Sequence, residues 1–341
     1  MVTVALDGHG AERGFEALAE GARRAAADGI GLRVFGPEDR LQIDGVEGIE
    51  VVRTAEGISN EDDPVPAVRS RPDASVVKAA ADVAEGRSAA MVSAGSTGAA
   101  MAAATFGLRR MKGVQRPALA VQLPVPDARV LFLDVGANTE VRSQHLVQFA
   151  FLGAAFSAAV LEVERPRVGL LSVGEESGKG RDEVVEAHAL LAGAGGIEFV
   201  GNVEGGDIPV GAVDVVVTDG FTGNVALKLM EGTARAVAGA IRDAARSNPF
   251  AAAGGLVMRP ALGGVRRRLQ PDSTGGAILL GLRSIAVVAH GSAGPDGIAN
   301  AVRLAARCVE VDAVGRTAAL LEAGGAGRGS LARRSPDPAG P

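Results

Sequence analysis

One phrase recurs along this chain and constrains its fold more than any other feature. A short run of Val, Leu and Ile ends in a turn of Gly with Ser, Thr, Asp, Asn or His, and a helical pattern follows. Val2–Leu6 leads into Asp7-Gly8-His9-Gly10, and Ala90–Val92 into Ser93-Ala94-Gly95-Ser96-Thr97-Gly98. Val130–Leu133 leads into Asp134-Val135-Gly136-Ala137-Asn138, and Val168–Leu171 into the loop Ser172 to Gly180. Val213–Val217 leads into Thr218-Asp219-Gly220-Phe221-Thr222-Gly223-Asn224, and Ile285–Val288 into Ala289-His290-Gly291-Ser292. Further apolar runs lie at Leu32–Phe35, Ile49–Val52, Leu119–Leu123 and Glu198–Val200. Near-continuous apolar runs suit strands buried on both faces, as in parallel sheets. Helical patterns at 74–86, 97–110, 143–161, 181–192, 224–245 and 295–310 alternate with them. The expected fold is a three-layer α/β/α sandwich with a mostly parallel sheet.

The rhythm also sets expected boundaries. Residues 1–320 read as one α/β/α domain. Within it, 246–273 breaks the pattern with Pro249, Pro260 and the run Arg266-Arg267-Arg268, and reads as a protruding helical hairpin. Residues 321–341 are rich in Gly and Pro and read as a disordered tail.

In a parallel sheet, ligands bind outside the carboxyl ends of the strands, where each of these turns falls. A helix N-terminus there offers free N–H groups and partial positive charge to an anion. Glycine lets the backbone come close to the ligand. One such turn is ordinary structure, but six, carrying Asp, Asn, Ser, Thr, Lys and His, point to a shared anion site. The named phosphate motifs fail in detail. Gly174 to Gly180 has three residues between its first two glycines where a P-loop has four, and Gly180 stands where Ser or Thr belongs. Gly8-His9-Gly10 is followed by Gly14, one residue late for the dinucleotide fingerprint.

Composition removes other classes. A single Cys, Cys308, excludes an internal disulfide framework. With four scattered His, it also argues against a structural zinc site, so no metal is expected. Phe is the only aromatic and the net charge is −5, a poor basis for nucleic-acid binding. No leader pattern follows Met1, and no apolar run approaches the roughly 20 residues that span a bilayer. The expected location is cytoplasmic.

Ten motifs taken in order carry a family resemblance. They are Ser93-Ala-Gly-Ser-Thr-Gly-Ala99, Arg116-Pro-Ala-Leu119, Asp134-Val-Gly-Ala-Asn138, His145-Leu-Val-Gln-Phe-Ala150 and Pro166-Arg-Val-Gly-Leu-Leu171. Gly174-Glu-Glu176 with Lys179-Gly180, Gly201-Asn-Val-Glu-Gly205, Asp219-Gly-Phe-Thr-Gly-Asn224, Gly275-Gly-Ala277 with Leu279-Leu-Gly281, and His290-Gly-Ser292 complete the set. Over roughly residues 2–310 the chain resembles the bacterial phosphate acyltransferases (acyl-ACP:phosphate transacylases) of phospholipid synthesis. The family's first turn reads Asp-x-Met-Gly-Gly-Asp; here His9, Ala11 and Glu12 depart from it, and Ser96 replaces the usual Asn.

The resemblance implies a fold like that of isocitrate dehydrogenases and phosphotransacetylases. It implies acyl transfer from acyl carrier protein to inorganic phosphate, without a cofactor, by a homodimer. It further implies peripheral contact with the membrane or with a membrane glycerol-3-phosphate acyltransferase. Phosphate is itself the nucleophile, so the site must hold it and stabilise an oxyanion. Asp7, Gly10, Ser93, Gly95, Ser96, Thr97, Gly98, Asp134, Gly136, Asn138, Asp219, Gly220, Thr222 and Gly223 are the expected phosphate or oxyanion residues. Lys179, flanked by glycines, is the expected cation. His290 either protonates the departing thiolate or supports its loop. Asn224, Asn202 and Glu204 either orient phosphate or Lys179, or satisfy loop backbone, and Ser292 supports His290. Phe250, Leu256, Met258, Arg259, Arg266, Arg267 and Arg268 are expected to touch membrane or carrier protein. The competing readings are a short-chain acyl-CoA phosphotransacetylase, a nicotinamide-dependent oxidoreductase and a non-catalytic binding module.

Overall fold

A computed structural model describes residues 1–125, 128–248, 250–254, 256–258 and 274–331. Eleven strands form one sheet: β1 (Thr3–Asp7), β2 (Gly31–Gly36), β3 (Ile49–Arg53), β4 (Ala90–Ser93), β5 (Ala118–Leu123), β6 (Val130–Leu133), β7 (Arg167–Leu171), β8 (Glu198–Val203), β9 (Val215–Val217), β10 (Ala277–Leu280) and β11 (Ile285–Val288). Their order across the sheet is β3-β2-β1-β4-β11-β10-β5-β6-β9-β7-β8. Each of the ten apolar runs became a strand. β4, β6 and β11 are buried at every position, as strands covered on both faces should be.

β10 lies outside those ten runs. It and β11 are four-residue strands on either side of a tight turn, so the sequence reads as one apolar stretch interrupted by Arg283. β10 is antiparallel to both neighbours, β11 and β5, and β5 is antiparallel to β6. The remaining pairs are parallel. The strands β3, β2, β1, β4 and β11 therefore run one way, and β6, β9, β7 and β8 run the opposite way.

Helices cover both faces. One core joins α1 (Gly14–Ala27), α6 (Ser143–Ala159), α9 (Pro295–Glu310) and α10 (Ala313–Ala323) to the sheet through Leu18, Phe149, Phe151, Ile298 and Leu321. Gly21 lets α1 and α9 meet closely, since a Cβ there would lie 2.8 Å from Ile298. The other core joins α4 (Ser75–Ala84), α5 (Thr97–Gly107) and part of α8 (Gly220–Ala244) through Ala79, Ala99, Ala103, Phe132 and Val216. Short helices α2 (Glu38–Leu41) and α3 (Pro64–Ser70) and the edge helix α7 (Asp182–Ala192) complete that part of the chain.

The ordered fold continues past residue 320, which corrects the expected tail boundary. α10 runs to Ala323 and α11 spans Arg328–Leu331, with Leu321, Ala326 and Leu331 buried. The buried amide of Gln148 on α6 donates to the carbonyls of Gly113 and Ala326, and accepts from the Gln115 N–H, tying this end of the chain to the body. Of the expected hairpin, 250–254 and 256–258 are helical with Phe250, Leu256, Val257 and Met258 exposed. Arg259 and Arg266–Arg268 lie outside the described residues. Among the described residues, no helix is long and apolar enough to cross a membrane.

Candidate active site

The reversal of strand direction sorts the glycine turns into two clusters at opposite ends of the sheet. Asp7–Gly10, Ser93–Gly98 and His290–Ser292 follow β1, β4 and β11 at one end. Asp134–Asn138, Lys179, Asn202–Glu204 and Asp219–Asn224 follow β6, β7, β8 and β9 at the other.

At the first end, Asp7 is buried and accepts hydrogen bonds from Ser75 Oγ (2.5 Å), Ser93 Oγ (2.7 Å) and the His9 N–H (3.2 Å). Burial pushes its carboxyl above the ordinary value while the two serines and His9 pull it back. Asp7 is thus a brace between β1, β4 and α4 rather than a free anion. The two turns press together: a Cβ on Gly10, at φ +83°, would lie 2.9 Å from the Gly95 Cα, and one on Gly95 would lie 2.8 Å from the His9 carbonyl. Ser96 caps α5 by accepting from the Ala99 N–H at 3.4 Å. The amides of Thr97 and Gly98 are the first two of the helix and have no acceptor within it. His290 follows directly, because the Ala289 N–H donates to the Ser93 carbonyl at 2.8 Å. The Ser292 N–H donates to His290 Nδ1 at 3.2 Å, and Ser292 Oγ lies 2.8 Å from the same atom. A nitrogen that accepts an N–H carries no proton, so the neutral ring holds its proton on Nε2. His290 is exposed. The Nε2 of His9, by contrast, is buried without a hydrogen-bond partner.

At the second end, Asp134 is fully buried and accepts five hydrogen bonds: from the N–H groups of Leu119, Gly136, Ala137 and Asn138 and from Asn138 Nδ2, at 2.7–3.1 Å. Burial pushes this carboxyl up against those donors. Asp219 caps α8, accepting from the N–H groups of Phe221 and Thr222 and from Thr222 Oγ1, and it pairs with Arg181. Burial alone would raise Asp219, but Thr222 and Arg181 more than offset it and hold the carboxyl below the ordinary range. The first turn of α8 seats on the Asp134 turn. The Gly220 N–H donates to the Asn138 carbonyl at 2.7 Å, and a Cβ on Gly223 would fall 1.8 Å from the Asp134 carbonyl oxygen.

This geometry corrects one expectation. The amides of Gly136, Asn138, Gly220 and Thr222 are spent on the protein's own carboxylates and carbonyls, so they do not face outward as a phosphate cradle. Asp134, Asn138, Asp219 and Thr222 position the turns. Glu204 likewise gives its N–H to Asp207. Lys179 sits on an exposed loop held by Ser172 Oγ to its own carbonyl (2.9 Å) and by Asn202 Nδ2 to the Glu176 carbonyl (2.8 Å). Lys179 makes no ion pair among the described residues, and Asn202 Oδ1 is buried without a partner.

Three arginines here were not among the expected site residues. Arg181 was legible only as the neighbour of Lys179-Gly180. Arg142 caps α6, and with Arg116 it helps hold His145 down, to about 4, after burial. An open pocket of about 390 Å³ lies between the N-terminal ends of α6 and α7, lined by Arg142, Ser143, Asp182 and Glu186. His145 accepts the Arg142 N–H at Nδ1, a capping role.

A family profile described as "Fatty acid synthesis protein" matches residues 2–316. The chain is 43% identical to the phosphate acyltransferase of Elusimicrobium minutum, over 90% of this chain and 92% of that protein. It is 40% identical to the phosphate acyltransferase of Geobacillus thermodenitrificans, over 94% and 99%. The chain belongs to the phosphate acyltransferase family. It is therefore an acyltransferase acting in fatty-acid and phospholipid synthesis with phosphate as acceptor. Its fold matches that of a phosphotransacetylase from Staphylococcus aureus (TM-score 0.58, 18% identity, 90% of this chain and 94% of that one). A branched-chain phosphotransacylase from Enterococcus faecalis matches similarly (TM-score 0.56, 15% identity, 91% and 99%). A phosphate acyltransferase thus carries the expected phosphotransacetylase-like fold.

Proposed function

We propose that this phosphate acyltransferase takes its acyl group from the thioester of acyl carrier protein and that the reaction opens at the α5 end of the sheet. The observation that carries this reading is the pairing of two free donors, the amides of Thr97 and Gly98, with a histidine fixed by Ser292 to present Nε2–H. A phosphate oxygen attacks the thioester carbonyl carbon. The oxyanion that forms is stabilised by the helix-end amides and partial positive charge. The intermediate collapses by breaking the C–S bond, and the Nε2–H of His290 donates a hydrogen bond to the departing sulfur. The proton lost by dihydrogen phosphate ends on that sulfur, giving acyl phosphate and free thiol.

Lys179 and Asn224 follow β7 and β9 at the other end of the sheet, so this reading gives them no contact with phosphate at the α5 end. Exposed Phe250, Leu256 and Met258 face the acyl donor or the membrane. The enzyme works as a cytoplasmic homodimer whose product passes to a membrane glycerol-3-phosphate acyltransferase. The test is to incubate the protein with phosphate and either acyl carrier protein thioester or acyl-CoA, trapping acyl phosphate as hydroxamate. Turnover with the carrier protein alone supports the reading; turnover with CoA alone makes this a CoA-dependent phosphotransacylase. His290→Gln is expected to lower kcat about 100-fold, the low end of general acid–base contributions, without a change in melting temperature.

A further inference from the structure

Acidic residues are missing from three stretches of the chain, 86–126, 273–295 and 323–331. The fold brings parts of all three together just past the C-terminal end of α5. The Met111 N–H donates to the Gly281 carbonyl (2.9 Å), the Arg283 N–H to the Arg109 carbonyl (3.0 Å) and the Arg328 N–H to the Gly113 carbonyl (2.9 Å). Arg110 and Leu282 form a further antiparallel bridge. Arg109, Arg110, Lys112, Arg116, Arg283 and Arg328 are all exposed on these segments. None of the six makes an ion pair among the described residues, whereas Arg24, Arg33, Arg71 and Arg87 elsewhere each pair with a carboxylate.

The backbone that carries these cations is fixed. Arg109 has a φ of +61°, a left-handed conformation that glycine takes freely and a long side chain rarely. Its guanidinium, the Lys112 ammonium and the Arg328 guanidinium have no hydrogen-bond partner among the described residues, so nothing within the described chain accounts for a cation at these places. Arg110 and Arg283 each give a guanidinium N–H to a main-chain carbonyl, that of Gln115 and of Arg110, which holds the fork in place and leaves its other donors available. Cations held this way lose little freedom when a partner arrives. A surface that enters a bilayer combines cations with exposed apolar side chains. Here Met111 and Val114 are buried, and the half-exposed Phe106 ring is faced by the Arg69 guanidinium at 4.9 Å. The face therefore suits an acidic protein surface better than lipid.

We propose that this face docks the acidic surface of the carrier protein that delivers the acyl thioester. The chain as a whole has a net charge of −5, so an acidic partner is repelled over most of the molecule and attracted here. Such complementarity speeds encounter and sets the orientation of docking. The identity of the partner rests on the donor reading above; the place of docking does not. Docking is also separated from chemistry. α5 has 11 residues and is about 16 Å long, so a carrier seated at its C-terminal end presents the thioester to Thr97 and Gly98 on an arm of at least that length. The patch then acts on the KM for the carrier-borne thioester and not on kcat.

The test combines Arg109→Glu, Lys112→Glu and Arg328→Glu in the full chain, sparing the hydrogen-bonded Arg110 and Arg283. Binding of acylated carrier protein is measured by titration calorimetry at about 50 and 200 mM NaCl, where screening differs. The Kd is expected to rise at least about tenfold in the variant, and the wild-type affinity to fall with salt. The KM for the carrier thioester is expected to rise in step, while kcat at saturation and turnover of an acyl-pantetheine thioester stay at wild-type values. Arg53→Glu, Arg165→Glu and Arg303→Glu together make the same change in net charge at other exposed positions and are expected to leave the Kd within about twofold. Unchanged carrier binding in the first variant, an equal loss in the second, or a matching loss of turnover with the pantetheine thioester overturns the docking face. Lost binding to phosphatidylglycerol vesicles with carrier binding kept assigns the face to lipid headgroups instead. Carrier protein that binds through the patch yet yields no acyl phosphate refutes the donor reading and leaves the docking face standing. Carrier-dependent turnover that the first variant leaves untouched does the reverse.

Discussion

Buried His145 contributes an acid-sensitive part of the stability, opposite in sign to Asp7 and Asp134, whose carboxyls burial raises. Its ring is held neutral, with a value near 4 against 6.5 for a free histidine, by burial and by Arg116 and Arg142. The unfolded chain takes up a proton below pH 6.5 while the folded one does not, so stability falls as pH drops from 6.5 to about 4. His145→Gln, which keeps a hydrogen-bond acceptor for the Arg142 N–H, is expected to flatten that slope in urea melts at pH 4.5 and 7. An unchanged slope assigns the acid sensitivity elsewhere. Cys308 lies among apolar residues with its thiol pushed up to about 12, which suits packing and rules out a nucleophile at neutral pH. Residue type in the sequence put Asp7, Asp134 and Asp219 in glycine turns. It did not show that Asp7, Asp134 and Asp219 would each be absorbed by neighbouring donors, since an aspartate in a glycine turn looks the same whether it faces a ligand or its own backbone.

Among the elements, the first turn of α8 is the most tightly placed. A methyl group on Gly223 would overlap the Asp134 carbonyl, so Gly223→Ala must displace either the helix or the turn. The expected cost is about 1–3 kcal/mol, in the range of overpacked cores, with loss of turnover. A calorimetric melting temperature within 1 °C of wild type contradicts the close seating, since each kcal/mol shifts a large domain by roughly 2–4 °C. Strand existence was the most legible feature of the sequence because both-face burial writes unbroken Val, Leu and Ile. Strand direction was not legible. Nothing in Leu119–Leu123 or Val130–Leu133 shows that β5 and β6 pair antiparallel, yet that one pairing sends the glycine turns to two ends of the sheet. The exposure of α8 from Thr233 to Ala238 was also hidden, because its sequence pattern continues evenly there.

At the scale of the molecule, residues 321–331 are part of the fold. Gln148 satisfies both ends of its amide on Gly113, Gln115 and Ala326, and Gly324 lies so close to Phe151 that a Cβ would be 2.0 Å from its ring. Truncation from Leu321 onward is expected to leave that amide half-satisfied and Phe151 uncovered, lowering the melting temperature by at least 5 °C. A truncated protein as stable as the full chain would return residues 321–331 to the status of a dispensable tail.

The position of the β10–β11 hairpin has a consequence for synthesis. It is the keystone of the sheet, the sole strand connection between β4 on one side and β5 on the other, and it is made from residues 277–288. At 5–20 residues per second, a ribosome that has finished β9 needs roughly 4–14 s to deliver it. Through that interval the nascent chain carries two half-sheets with bare inner edges, each a template for the wrong strand. Any delay in translating the stretch ahead of the hairpin lengthens that exposure, so the yield of folded protein depends on how fast the last quarter of the message is read.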